Sequence, residues 1–354
     1  MDVNSDASDS SGENPRKRRV RYRGTHPRRF EEKYKELAPD EHPELVAHVR
    51  SRGMTPAGQH VPIMVAECVE ALAPRGGERG VDVTLGYGGH TSALLARLAP
   101  GGRLLALDAD PIEFERTSAR LRAAGHGEEV LALARTNFAG LARAVAEQGW
   151  HDGVDFVFAD LGLSSMQIDT PARGFTFKTE APLDMRMNPR RGESAAEWLA
   201  RVSRADFERA LVDHADEPRA ARLAAALDRA RGRLVTTTHL ADLVRSALPA
   251  GMEADDVEAT VRRVFQAVRI AVNDEFGALD ALLRALPTVL RAGGRAAFLT
   301  FHSGEDRRVK QSFERGLGDG TWSSVAREVV RASAEERRSN PRSAPAKLRW
   351  ARRA

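Results

Sequence analysis

Between residues 81 and 160 short apolar runs alternate with stretches of helical period. Residues 81–85 (Val-Asp-Val-Thr-Leu) read as a short buried strand, followed by a turn at residues 86–89 (Gly-Tyr-Gly-Gly) that only small residues can make. Residues 90–98 follow as a helix with Leu94, Leu95 and Leu98 on one face. A second apolar strand, 103–107, ends in Asp108. Asp110 and Pro111 open a helix reaching about Ala124. A third strand is expected at 130–134, a helix at 141–148 and a fourth strand at 153–160. The fourth strand is apolar on both faces, as a central parallel strand should be, and ends in Asp160.

From about Gln167 to about Met252 the alternation stops. An irregular stretch, 171–188, precedes helical segments at 195–199, 204–212, 220–230 and 238–247. Residues 264–290 then read as one long helix with an apolar stripe of Phe265, Val268, Val272 and Phe276. Gln266, Arg269 and Asn273 lie on another of its faces. A fifth strand, 296–301, leads into His302, and a tail with Trp322, Leu348 and Trp350 predicts a closing hairpin. The expected fold is α/β and Rossmann-like, with an all-helical domain inserted. Residues 53–166 and 253–354 form the sheet domain, residues 167–252 the insertion, and residues 1–52 an extension.

That extension changes the picture only at its charge. Residues 1–14 are rich in Ser and Asp, have little to bury and predict disorder. Residues 15–29 are strongly basic, an arm able to touch RNA phosphates or simply a solvated tail. Residues 31–52 are weakly helical. The formal net charge over 354 residues is +4, a mild excess compatible with a polyanionic partner. Cys68 is the only cysteine, which excludes an internal disulfide and a multi-cysteine zinc site. No metal ligand set is assigned. No apolar run is long enough for a membrane helix and the start lacks a signal-peptide core, so a soluble cytoplasmic protein without a membrane partner is expected.

The chemistry gathers at the carboxyl ends of the strands, where open α/β sheets bind ligands. A glycine turn followed about 20 residues later by a carboxylate suits an adenosine-containing ligand: the backbone approaches closely and the acid accepts from ribose hydroxyls. A dinucleotide fingerprint starting at Gly86 would need Gly at position 91, where Thr91 stands, and no P-loop is present. S-adenosylmethionine (SAM) has no phosphates to cradle, so the shorter turn suffices. Asp82 could hold its ammonium group. Phe138 could stack on the adenine or belong to the core. His60, ahead of a helix at 65–72, reads as a capping or packing residue.

Across residues 60–349 the chain resembles the ribosomal RNA small subunit methyltransferase H family. The motifs are His60 to Glu67, Thr84 to His90, Asp160 to Gln167, Arg173 to Phe177, Pro182 to Met187, Phe265 to Ile270, Phe301 to Ser303 and Glu305 to Arg307. The resemblance implies a class I SAM-dependent methyltransferase. It implies cofactor contacts at Gly88, Gly89, His90, Asp108, Phe138, Asp160 and Gln167, and a target at N4 of a 16S rRNA cytosine (cytosine 1402 in standard rRNA numbering, at the ribosomal P site). The partner it implies is 16S rRNA in the small ribosomal subunit; monomer and homodimer stay open. The chain departs from the family pattern at Ala259 and Thr260, at Gly304 where Leu is usual, and at Ala344 and Pro345.

Methylation at cytosine C5 would need a cysteine nucleophile, and Cys68 sits in an early helix. Methylation at N4 needs only alignment of the amine with the methyl group and an acceptor for its hydrogens. Asp160, with the carbonyls of Leu161 and Gly162, suits that role. The base must leave its stack, and Phe175, Phe177 and Trp198 are either wedge residues or core. Arg173, Arg186, Arg262, Arg263, Arg269 and Arg307 are either phosphate ligands or partners of nearby acids. Gln266 and His302 complete the substrate candidates. Two alternatives remain: an RNA 2′-O-methyltransferase, for which Lys178 and Lys310 are the available lysines, and a non-catalytic SAM-binding ribosome assembly factor.

Overall fold

The structure, a computed structural model, describes residues 61–354. The expectations for residues 1–52 and for His60 fall outside that range. The sheet contains β1 (Arg79–Asp82), β2 (Arg103–Leu107), β3 (Leu131–Ala134), β4 (Val154–Asp160), β5 (Leu290–Thr300), β6 (Trp322–Val325) and β7 (Lys347–Arg353), in the order β3-β2-β1-β4-β5-β7-β6. Strands β1 to β5 run parallel. The tail adds the expected hairpin, β7 pairing antiparallel with both β5 and β6. This is the Rossmann-like arrangement, with the chain reversing direction between β1 and β4 at the point where such sheets open a crevice.

Alternating strand residues fill two separate cores. Val81, Val157 and Ala159 pack with the leucines of α11 (Glu275–Val289), with α4 (Leu141–Glu147) and with Val309 and Phe313 of α12 (Ser303–Gly318). Phe156 and Phe158 point the other way, onto α1 (Val65–Leu72) and α2 (Gly89–Leu98). Helix α3 (Pro111–Ala123) covers the same side through Leu121. Asp110 caps α3 as expected, accepting from the backbone N–H of Ile112.

The insertion begins with α5 (Ser165–Asp169) and an irregular stretch. It continues through α6 (Ala195–Arg201), α7 (Arg204–Ala215), α8 (Ala220–Arg229) and α9 (Thr237–Ala247). Its core is closed by α10 (Ala254–Asn273), which contributes Val261, Val264, Phe265 and Val268. The helical core thus continues past Met252. The long helix expected at 264–290 is two helices instead: Asp274 takes a left-handed conformation (φ 47°), so α10 and α11 leave in different directions. The apolar stripe carries across the break because Phe265 and Val268 serve the insertion while Phe276 faces the sheet domain's ligand crevice. Met187 donates its backbone N–H to Asn273 Oδ1 at 2.7 Å, and the Asn273 amide donates to the carbonyl of Met185 at 2.7 Å, tying the irregular stretch to the end of α10.

Candidate active site

A cavity of about 470 Å3 opens at the carboxyl ends of β1, β2, β4 and β5. Its floor is the glycine turn. Gly88 caps α2 at φ 76°, a conformation costly for any side chain bearing Cβ. A Cβ on Gly89 would stand 2.8 Å from the Pro62 ring, so that position has no room for one. Asp108 accepts from the N–H of Gly86 and the N–H of Asp110, each at 2.8 Å, and so fixes the turn to the next strand. Burial pushes its carboxyl up to about 6 despite these two bonds. Glu113, on the same wall, is raised to about 7 by burial and by Asp110 and Asp108.

Asp82 is turned away from the cavity, against the expectation that it could hold an ammonium group. It is fully buried and accepts from the backbone N–H of Thr84 and the hydroxyl of Thr91, which satisfy its charge inside the protein.

Asp160 ends β4 with its backbone N–H donated to the Thr84 hydroxyl at 2.6 Å. Its side chain is 23% exposed and lines the cavity. Oδ2 lies 3.5 Å from His90 Nδ1, and Oδ1 has no hydrogen-bond partner. Burial, with the charge of Glu305 nearby, pushes the carboxyl up to about 7. His90 is buried and donates from Nε2 to the Ile63 carbonyl at 2.8 Å. Burial lowers its pKa, so the neutral ring turns the lone pair of Nδ1 toward Asp160.

Gln167 lines the cavity but its amide donates to Asp110 Oδ2 at 2.8 Å, while its carbonyl oxygen completes a capping box with Ser164. Arg173 donates to the same Asp110 oxygen at 2.7 Å and to the carbonyls of Arg186 and Met187. Asp110 therefore joins α3, α5 and the irregular stretch, a role for which its capping position was the only signal. Phe138 opens a short 3-10 turn and lines the cavity.

For five of the arginines the pairing alternative holds. Arg173 is buried on Asp110; Arg186 grips Asp184, Arg263 Glu217, Arg269 Glu275 and Arg307 Asp216. Arg262 is exposed and has no ion-pair partner among the described residues. Gln266 donates to the His214 carbonyl at 2.8 Å. Phe175 is buried in the insertion core, Phe177 packs edge-on against Phe265 and Trp198 against Phe207, so core packing accounts for all three. Of these candidates only Arg269 and His302 line the cavity.

Glu275 and Glu305 also face the cavity and were not singled out from the sequence as ligands. With His302 they bring one donor atom each within 4.8 Å of one another, close enough for a divalent cation. Arg269, however, already holds both Glu275 oxygens at 2.7 Å. Gly304 explains one departure from the family pattern: a Cβ there would stand 2.5 Å from the ring of Phe276.

Known proteins resemble this chain over most of its length. A ribosomal RNA small subunit methyltransferase H 2 from Alkaliphilus metalliredigens is 47% identical over 345 residues, covering 96% of this chain and 98% of the relative. A ribosomal RNA small subunit methyltransferase H 1 from Agathobacter rectalis is 46% identical over 350 residues, covering 97% and 99%. Among solved structures, a SAM-dependent O-methyltransferase from Thermotoga maritima aligns with a TM-score of 0.39 at 9% identity, covering 84% of this chain and 67% of that one. The MraW methylase family matches residues 57–354, and the chain belongs to it.

Proposed function

We propose that the protein methylates 16S rRNA of the small ribosomal subunit with SAM as donor, at N4 of a cytosine, the site that the family resemblance puts at cytosine 1402. The observation that carries the reading is Asp160: a carboxylate at the end of the central strand, open to the cavity, with one oxygen lacking a partner and the glycine turn beside it. The cavity fits the cofactor. In this reading Asp108 takes the ribose hydroxyls and Phe138 the adenine, which is supported by their lining one cavity, while Gly88 and Gly89 leave room for close backbone approach. The carboxylates of Asp108, Glu113 and Asp160 face a ligand whose sulfonium and ammonium outnumber its one carboxylate.

SAM supplies an electrophilic methyl group. Asp160 accepts a hydrogen bond from the N4 amine and orients its lone pair toward that methyl. As the N–C bond forms, the C–S pair stays on sulfur and N4 releases one proton, which Asp160 takes and passes to solvent. The Nδ1 lone pair of His90 lies beside the same carboxyl and stabilises its protonated form.

The 2′-O-methyl reading is less favoured because no lysine lines the cavity among the described residues. Lys178 is exposed and Lys310 lies 3.6 Å from Glu314 on the surface of α12. The test is transfer from labelled SAM to small subunits from cells lacking the protein, followed by nucleoside mass spectrometry. N4-methylcytidine that disappears with Asp160→Ala is expected. Label on ribose or on C5 would overturn the assignment, and SAM binding with no transfer would favour the assembly-factor reading.

A further inference from the structure

Few polar side-chain atoms among the described residues are buried without a hydrogen-bond partner. Among the described residues they belong to Ser118, Asp160, His302 and Asn340, and two of the four residues, Asp160 and His302, line the same cavity. Burying an unsatisfied polar group is costly, so such atoms need an explanation. These two come from neighbouring strand ends: Asp160 pairs with Leu299 of β5, and His302 lies three residues further along that chain.

The two atoms are of opposite kind. Asp160 Oδ1 is an acceptor. His302 caps α12 by accepting, at Nδ1, the backbone N–H of Glu305 at 3.4 Å. The cap needs the Nδ1 lone pair, so in the neutral ring the proton sits on Nε2, which is a donor. Glu305 Oε1 lies 3.1 Å from Nε2 but off the direction a hydrogen bond requires. Glu305 is itself fixed by accepting the Phe301 N–H at 2.9 Å. It holds the ring's orientation electrostatically and leaves the N–H without an aligned acceptor.

We infer that His302 Nε2–H donates to N3 of the target cytosine while Asp160 Oδ1 accepts from its N4 amine. The pair would then read the acceptor–donor pattern that distinguishes cytosine from uracil. In uracil both positions are reversed: O4 would face the Asp160 oxygen and N3–H would face the His302 N–H. This assignment rests on the cytosine-N4 reading above. It makes His302 a specificity residue that touches the base, whereas a plain helix cap would act on folding alone.

The test replaces the methylated cytidine, once mapped with the wild-type protein, by 3-deazacytidine in rRNA ligated and reconstituted into small subunits. The deaza base keeps N4 and lacks the N3 acceptor. Wild-type protein should lose about tenfold in kcat/KM on it. His302→Phe, which has no donor, should be slow on both substrates and discriminate between them less than twofold. His302→Gln, which restores a donor, should recover the preference. A preference for cytidine that is equal in wild type and His302→Phe would overturn the inference alone, as would a wild-type enzyme indifferent to the N3 atom. Absence of N4-methylcytidine with wild-type protein would overturn the underlying reading as well.

Discussion

Three acids at the sheet rim and the acids of the helical insertion differ in how their charge is met. At the rim, Asp108, Glu113 and Asp160 are carboxyls raised by burial with no Lys or Arg paired to them among the described residues. In and around the insertion, arginines and acids meet each other: Arg186 with Asp184, Arg263 with Glu217, Arg307 with Asp216. Unpaired buried acids cost stability and are enriched where a ligand uses them, whereas a paired acid has its charge met within the protein. The difference supports the proposal that the chemistry belongs to the sheet rim and that these insertion arginines serve their own pairs.

The sharpest way to break this contrast is at Asp160. Asp160→Ala should lower kcat by about 10²–10⁴-fold, the usual contribution of a positioned proton acceptor, with SAM affinity changed far less. Equal losses in turnover and in calorimetric SAM binding would reduce the residue to a binding role.

Arg173→Met comes next. It leaves the buried Asp110 without its cation, and removing one partner of a buried pair costs about 3–5 kcal/mol. Thermal unfolding should show it. Restoration by Asp110→Asn in the same chain would identify the uncompensated charge as the cause, and an unchanged melting point in Arg173→Met would refute it.

The rim acids also set a pH dependence. Their folded pKa values, about 6 for Asp108 and about 7 for Glu113 and Asp160, lie above the ordinary carboxyl range. Protonated carboxyls are favoured in the fold, so their contribution is full below about pH 4 and is lost as pH rises toward 7. The ligand-free protein should lose this increment of stability over that window, and Asp160→Asn should flatten the slope. SAM, carrying net positive charge, should bind more tightly as pH rises from 5 to 8 and release protons on binding. Titration in buffers of different ionisation enthalpy measures that release; none would argue against ionised rim acids in the complex.

The smallest effect belongs to Arg307→Ala. Its pair with Asp216 is exposed, 52% and 50% at the two side chains, and such pairs contribute about 0–1 kcal/mol. A loss of rRNA affinity much larger than the change in melting point would return Arg307 to the phosphate ligands and blur the comparison.

Much of the rim was legible because strand periodicity and a terminal acid coincide at Asp108 and Asp160. Asp82 shows where that inference stops: an acid within the first strand was expected to reach the ligand, and the hydroxyl of Thr91, nine residues away, satisfied it internally. The four insertion helices were legible from their apolar faces. The break at Asp274 was not, because a left-handed aspartate carries no distinctive neighbour pattern and the apolar stripe runs through it. Arginine partners were illegible for a similar reason: Arg173 and Asp110 are 63 positions apart. Glu275 and Glu305 were passed over because only the helix N-termini, brought together by the fold, aim them at the cavity.

Gly304 and Phe276 meet so closely that neither position can change freely on its own. A leucine at 304 requires the ring of Phe276 to move or be replaced, and a small residue at 276 leaves space that glycine does not fill. The two sites are therefore expected to be coupled. A lineage moving between glycine and leucine at 304 must cross a less fit single mutant or change both together, and combining the two substitutions should recover most of what each loses alone.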